Sequence, residues 1–380
     1  MKADIIIRNG LVIEPSDNSA KVMDVAIGKG KILQKGKLDT GIKANIEVDA
    51  TGCLVTPGLI DCHLHLFAGS GESGLKPDIT FLPYGVTSGV DGGSAGISNY
   101  KLFSNIIVHH SVTTVKAYLN PSPAGHAMIK YYPENVDPKY FDVERIAECV
   151  ERYKGEIVAI KMRISKNIVG DLGLKPLEAA VEIGNRVGLP VVVHTTNPPT
   201  EVEEVLSILR PGDVFGHAFH GNGECIIGKD GSIKDCVWEA RKRGVLFDVA
   251  NGIGHFVISV AKQALAEGFL PDTISTDVTT KSMYRQPVHS MPFIMSKYLS
   301  MGMSIQDVIM ATTLRPAQIF GFEGMGTLRE GTVADVAVFR LIDKPMKFMD
   351  TNGDYYDGNK ALIPQMTVKD GVIRYRQVDF

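Results

Sequence analysis

Pro57-Gly58-Leu59-Ile60-Asp61-Cys62-His63-Leu64-His65 is the stretch on which the reading of this chain turns. An apolar run of Leu, Ile and Cys behind a Pro-Gly pair reads as a buried strand. On a strand, residues i and i+2 point to the same face, so His63 and His65 leave it side by side. Two parallel imidazoles are placed to hold a metal ion, and imidazole suits zinc, iron and nickel. The same two residues could instead be core histidines with ordinary hydrogen bonds. Partners elsewhere in the chain decide between the two.

Seven further apolar runs follow this one. They end near Val86–Asp91, Thr113–Asn120, Ile157–Arg163, Val191–His194, Val214–His217, Val245–Ala250 and Thr273–Asp277. Helical patterns lie between most of them. Asp142 is placed to cap Val143–Tyr153, whose Val143, Ile146, Ala147 and Val150 share one face. Leu177–Val187 stops at Gly188, and Thr200-x-x-Glu203 has the capping-box spacing for a helix over Val202–Leu209. Phe256–Glu267 stops at Gly268, and Ser304-x-x-Asp307 opens Val308–Thr313. Eight strands alternating with helices predict a (β/α)₈ TIM barrel, with a doubly wound open sheet as the alternative that periodicity alone permits.

The flanks read differently. Ala3–Arg8, Leu11–Ile13, Val22–Ile27, Lys31–Gln34 and Asn45–Val48 are short strands, with a hairpin turn at Gly28-Lys-Gly-Lys31. Gly331–Arg340 holds a strand, and Met366–Tyr375 reads as two strands about Asp370-Gly371. Neither flank buries a core alone. The expected division is a small β-sandwich domain from residues 1–56 plus 329–380, and a catalytic barrel over 57–328.

Composition bounds the function. The chain has 380 residues, 44% hydrophobic and 22% charged, with a formal net charge of −3 and no basic or acidic block. This favours a small-molecule substrate over nucleic acid or a membrane surface. The first residues, Met1-Lys-Ala-Asp-Ile-Ile-Ile-Arg8, do not read as a signal peptide, and no segment reaches the length of a membrane span. Five scattered cysteines without a CxxC read as reduced thiols of a cytoplasmic protein. Self-association into a homo-oligomer is left open.

At the C-terminal ends of barrel strands, side chains converge on one mouth. The residues closing these runs are His63 and His65, then Lys161, His194, His217 and Asp277. Six such groups on five strands point to a shared ligand. Lys161 could snorkel or pair with an acid. Its sharper reading is a neutralised amine that adds carbon dioxide and becomes a carbamate able to bridge two cations roughly 3.5–4 Å apart. His194 could be a satisfied core histidine, and Asp277 a helix cap. His217 directly follows its apolar run and is preferred over His220, which becomes a loop residue and candidate substrate contact. Arg163 shares a strand face with Lys161 and could bind a substrate carboxylate bidentately or form a structural ion pair.

Two glycine-rich stretches are set aside. Gly69-Ser-Gly71-Glu-Ser-Gly74 fits G-x-G-x-x-G, with Asp91 further on, but Pro77 and Pro83 follow it rather than a helix. It reads as a loop over the mouth. Gly92-Gly93-Ser94-Ala95-Gly96 lacks the lysine of a phosphate loop. His109, His110, His126, His255 and His289 do not close apolar runs and receive no role.

On the motif around His63 and His65, with Lys161, His194, His217 and Asp277, the chain resembles the amidohydrolase superfamily. Ala311-Thr-Thr-Leu-Arg-Pro316-Ala317 and Gly326-x-Leu-x-x-Gly331-x-x-Ala334-Asp335 resemble that family's return to its β domain. The resemblance implies a barrel with a terminal β-sandwich and two divalent metal ions, zinc as the expected metal, bridged by carboxylated Lys161. It implies that His63, His65 and Asp277 bind the buried ion and that His194 and His217 bind the outer one. Hydrolysis would then use a metal-bridging hydroxide, with Asp277 relaying the proton. Asp91–Gly96, Lys116–Asn120 and Ile160–Arg163 are similar to a dihydroorotase-like amidohydrolase/deacetylase group, which implies cleavage of an acyl amide or ester on a small carboxylate-bearing molecule. The stretch Gly125–Tyr140 departs locally from that pattern. A cyclic amidase of dihydroorotase or hydantoinase type, a one-metal deaminase and a non-catalytic scaffold are the alternatives.

Overall fold

A computed structural model describes residues 2–39, 41–71 and 73–380. The N-terminal flank forms β1 (Lys2–Glu14), β2 (Ser19–Gly28), β3 (Lys31–Gly36), β4 (Lys43–Asp49) and β5 (Leu54–Pro57). The two short strands expected at 3–8 and 11–13 are one strand, β1, whose pairing shifts between Ile7 and Gly10. Asn9 there takes a left-handed φ of 59°. A side chain at Gly10 would lie 2.3 Å from Val55, so only glycine lets β1 pass β5 this closely. The first half of β1 pairs with β4 and the second half with β5, both in parallel.

The middle of the chain builds β6 (Leu59–Leu64), β7 (Val86–Asp91), β8 (Thr114–Leu119), β9 (Ile157–Arg163), β10 (Val191–His194), β11 (Val214–Gly216) and β12 (Leu246–Asp248). Their order in space is β12-β11-β10-β9-β8-β7-β6, and every adjacent pair is parallel. A sheet that follows chain order with helical crossovers curls round to face its own first strand.

The expected eighth strand, Thr273–Asp277, is not a strand. The segment accepts backbone bonds from Val249, Asn251 and Gly252 on the β12 side. On the β6 side the Asp277 amide donates to the His63 carbonyl at 2.6 Å, and the His65 amide donates to Val278. The Asp61 carboxylate takes the Thr276 amide and hydroxyl, at 3.0 and 2.6 Å. A side chain thus replaces rungs that a regular ladder would supply, and Asp277 turns to a left-handed φ of 49°.

The C-terminal flank supplies β13 (Val336–Met349), β14 (Tyr355–Lys369) and β15 (Val372–Arg376). Val336–Phe339 of β13 pairs antiparallel with β5. The two ends of the chain therefore share one mixed sheet of eight strands rather than two sheets that meet only face to face, and the long β1 is its branch point. Ile7, Val12, Val25, Val55, Val338 and Val368 pack in one cluster fed by both flanks. The larger apolar cluster lies between the parallel sheet and its helices.

Helix boundaries mostly follow the sequence signals. The Asp142 side chain accepts from the Arg145 amide and opens Val143–Arg152, and Gly188 ends Lys175–Val187 with φ 69°. The Thr200 capping box does not form: the helix over Val202–Ile208 is capped at Glu201, which puts Glu203 one position early for the motif. The helix expected from Phe256 begins at Ile258, because Thr351 and Asp350 at the end of β13 accept the Phe256 and Ile258 amides. Ser304 does cap, but for Ile305–Thr312, three residues earlier than expected. No helix among the described residues is long and apolar enough to cross a membrane.

Candidate metal centre

His63 sits near the end of β6 and is fully buried. Its Nδ1 lies 3.4 Å from Asp248 Oδ2, and its Nε2 lies 2.8 Å from Lys161 Nζ. Asp248 is itself fixed by the Thr273 and Ser275 hydroxyls at 2.7 and 2.8 Å. His65, just beyond the strand, places Nδ1 2.8 Å from Ser94 Oγ and Nε2 3.3 Å from Asp277 Oδ1. The glycines after β7 make room for this packing: a side chain at Gly92 would meet the His63 ring at 2.9 Å, and one at Gly93 would meet the Lys161 stem at 2.6 Å. Asp91, without a role in the sequence reading, accepts from the amides of Leu66, Gly93 and Ser94 and so ties the loops after β6 and β7 together.

Lys161 on β9 is 2% exposed. Burial lowers its amine to about 8, against the pull of Asp277. His194 ends β10, and His217 follows β11 in a left-handed conformation with φ 61°. The His217 Nδ1 lies 2.7 Å from the Ala250 carbonyl, while its Nε2 is buried without a partner. Burial depresses both imidazoles well below the ordinary histidine value, so each is neutral, with a ring nitrogen able to donate a lone pair. For Asp277, burial pushes the carboxyl up, but the His65 hydrogen bond and the nearby imidazoles more than offset this and hold it well below its usual range.

His63, His65, Lys161, Arg163, His194, His217 and Asp277 all line one open cavity. His220 is not among its lining residues. It is fully buried, with no hydrogen-bond partner at either ring nitrogen. Arg163 forms the ion pair that was its structural alternative, 3.0 Å from Glu134, yet still lines the cavity.

Two histidines without a sequence-derived role also line the cavity. His126, on the loop after β8, stands 5.3 Å from His65 between ring centroids and 3.3 Å from Glu134. His255, beyond β12, joins His194 and His217 in a group whose nitrogens all lie within 4.8 Å of one another. Neither closes an apolar run, so strand-end logic passes over them; the signal that could have found them is only that each lies on a glycine-containing loop leaving the same barrel face.

The donor set fits a divalent cation. It offers neutral imidazoles, an ionised carboxylate, ring nitrogens hydrogen-bonded on the far side by Ser94 and a backbone carbonyl, and Asp248 facing His63 Nδ1, the kind of support metal-bound histidine uses. The orphaned, buried His217 Nε2 has no protein partner to satisfy it.

The chain is similar to several known proteins. A deacetylase of Brucella anthropi is 34% identical over 93% of this chain and 88% of its own length. A crystal structure described as an adenine deaminase superposes with a TM-score of 0.91 at 28% identity, covering 99% of this chain and 100% of that one. Another, described as a dihydroorotase, gives 0.87 at 31% identity over 98% and 97%. The amidohydrolase family model matches residues 54–374, from β5 through β15, and the chain belongs to the amidohydrolase family.

Proposed function

We propose that this chain is a metal-dependent hydrolase that removes an acyl group, such as acetyl, from a small carboxylate-bearing molecule. The observation that carries the reading is the convergence of His63, His65, Lys161, His194, His217 and Asp277 on one cavity. In this reading His63, His65 and Asp277 hold the inner of two divalent cations, zinc as the expected metal, and His194 and His217 hold the outer one. Lys161 would serve both as a carbamate, formed if its neutral amine added carbon dioxide and released a proton. A buried amine lowered to about 8 offers more of that neutral form at pH 7 than an exposed lysine does. When bound, the cations polarise the scissile carbonyl and bring the pKa of the attacking water toward about 7.

The chain's own residues supply the rest. Asp277 is ionised and directed at the cavity by His65, so it can take the proton released as water attacks. It then returns that proton to the leaving amine or alkoxide. Arg163, steadied on one side by Glu134, faces the substrate's carboxylate. The structural reading takes the irregular segment 273–278 as the eighth stave of a closed barrel over 57–328, beside a β domain built from 1–56 plus 329–380 around their shared sheet.

The 31% identity to a protein described as a dihydroorotase favours a second reading, hydrolysis of a cyclic amide. The test is elemental analysis of the purified protein followed by a panel of N-acetyl amino acids, O-acetyl hydroxy acids, cyclic imides and adenine. Two metals per chain with turnover of the acetylated acids is the expected result. Turnover confined to cyclic imides moves the assignment to the second reading. One metal with turnover of adenine alone overturns both.

A further inference from the structure

We infer that His255 is a third imidazole ligand of the outer cation, so that His194, His217 and His255 form a site that holds metal without Lys161. This inference rests on the metal-dependent reading above and extends its ligand set.

The three rings face one another. Their centroids are separated by 4.3 Å for His194–His217, 4.2 Å for His217–His255 and 4.8 Å for His194–His255. The nitrogens are arranged for a common guest. His255 Nδ1 is engaged by Thr196 Oγ1 at 2.9 Å, just as His217 Nδ1 is engaged by the Ala250 carbonyl. Each anchor fixes the ring and leaves Nε2 as the free donor, the arrangement that supports metal-bound histidine. The buried, unpartnered His217 Nε2 is one of the atoms this site would satisfy.

The competing role for His255 is a partner for Asp277, but its Nε2 stands 3.8 Å from Asp277 Oδ2, beyond a hydrogen bond. The backbone is shaped to keep the ring where it is. Gly252 has φ 53°, and a side chain there would meet the His255 ring at 2.4 Å and Asp277 Oδ2 at 2.7 Å. The left-handed glycine and the missing methyl let the loop after β12 fold His255 over the pair His194 and His217. Three neutral imidazoles meet the usual three-protein-ligand requirement of a catalytic zinc site, with positions left for water and substrate. Metal loading at the outer site would then precede carbamate formation on Lys161 rather than depend on it.

Zn²⁺ titration of the full-length apoprotein, followed by dialysis and elemental analysis, tests this in wild type, Lys161→Met, His255→Ala and the double variant. The expected result is that Lys161→Met retains one equivalent, and that adding His255→Ala weakens this remaining ion on the order of a hundredfold. His255→Cys loaded with Co²⁺ should show a thiolate-to-cobalt charge-transfer band that wild type lacks. That band requires direct ligation, and a merely structural residue would not produce it. If His255→Ala leaves Zn²⁺ affinity unchanged in the Lys161→Met background and His255→Cys gives no such band, His255 is not a ligand. If wild type itself binds no Zn²⁺, the metal-dependent reading fails as well, an outcome separate from failure of the ligand assignment alone.

Discussion

At the scale of single residues, the site spends conformational energy to aim its groups. His217 and Asp277 both take left-handed backbone angles, φ 61° and 49°, which cost an L-residue about 1–2 kcal/mol each. That outlay turns the two side chains toward the cavity instead of along their segments. Asp277→Asn keeps the shape and removes the proton acceptor. The expected outcome is a fall in kcat of about 10²–10⁴ with Km for substrate little changed, read by steady-state kinetics on metal-loaded protein. Near-normal turnover in that variant would remove Asp277 from proton transfer. Asp248 does not line the cavity, yet it faces His63 Nδ1. Asp248→Ala should weaken metal retention by about 10–100-fold in a competition titration against a chelator. Unchanged retention would show that His63 needs no support from behind.

Among the elements, the loop between β8 and the helix at Val143–Arg152 lends the pocket His126 and Ile129. It carries His126 and Glu134, and Glu134 gathers Arg163, His126 and, at 2.8 Å, the Asn120 side chain. Glu134→Gln removes the charge that steadies Arg163. Its expected effect is a rise in Km of about tenfold for carboxylate-bearing substrates, with kcat nearly unchanged and neutral esters unaffected. An equal rise for neutral esters would assign Glu134 a general structural role. This loop also marks where sequence reading stops. Val191-Val-Val-His194 and Ile157-Val-Ala-Ile-Lys161 could be read because an apolar run both announces a strand and fixes where it ends. His126 and His255 lie beyond such runs, at positions set by backbone turns, and Gly252 gives no hint in sequence of what it lets past. The segment Thr273-Ile-Ser-Thr-Asp277 was located, but its character was not: Thr276 and Ser275 bond to Asp61 and Asp248, partners more than 200 and about 27 residues away, which no local pattern encodes.

On the scale of the whole molecule, the two chain ends are tied by more than the β5–β13 pairing. Glu14, at the end of β1, is fully buried and accepts from Thr327 Oγ1 at 2.7 Å and the Leu328 amide at 2.9 Å, with Lys35 at 2.5 Å. Burial pushes its carboxyl up, but bonds from Lys35, Thr327 and Ser16 outweigh burial and leave it below 4.5. A carboxyl lowered on folding adds stability above its unfolded pKa and loses it as pH falls through the folded value. Glu14→Gln should therefore cost about 1–3 kcal/mol at pH 7, with the gap to wild type narrowing as pH falls through the lowered folded-state value, as read by urea denaturation across pH. A gap that stays constant with pH would mean that packing, not charge, is what Glu14 contributes. The union of the two termini was legible from their matching β character; its form was not, because a thirteen-residue β1 that pairs with β2 and, in succession, with β4 and β5 looks in sequence like two separate strands.

The irregular stretch at 273–278 has one more consequence. The wall that bears Asp277, the proposed proton relay, is fastened to β6 by two main-chain bonds and the reach of Asp61, where the other walls are joined by parallel ladders. A fastening with so few stitches opens first, so mild urea should silence the enzyme while its far-ultraviolet dichroism is still intact, and the amides of Thr276 and Asp277 should exchange with deuterium ahead of those in β9 and β10.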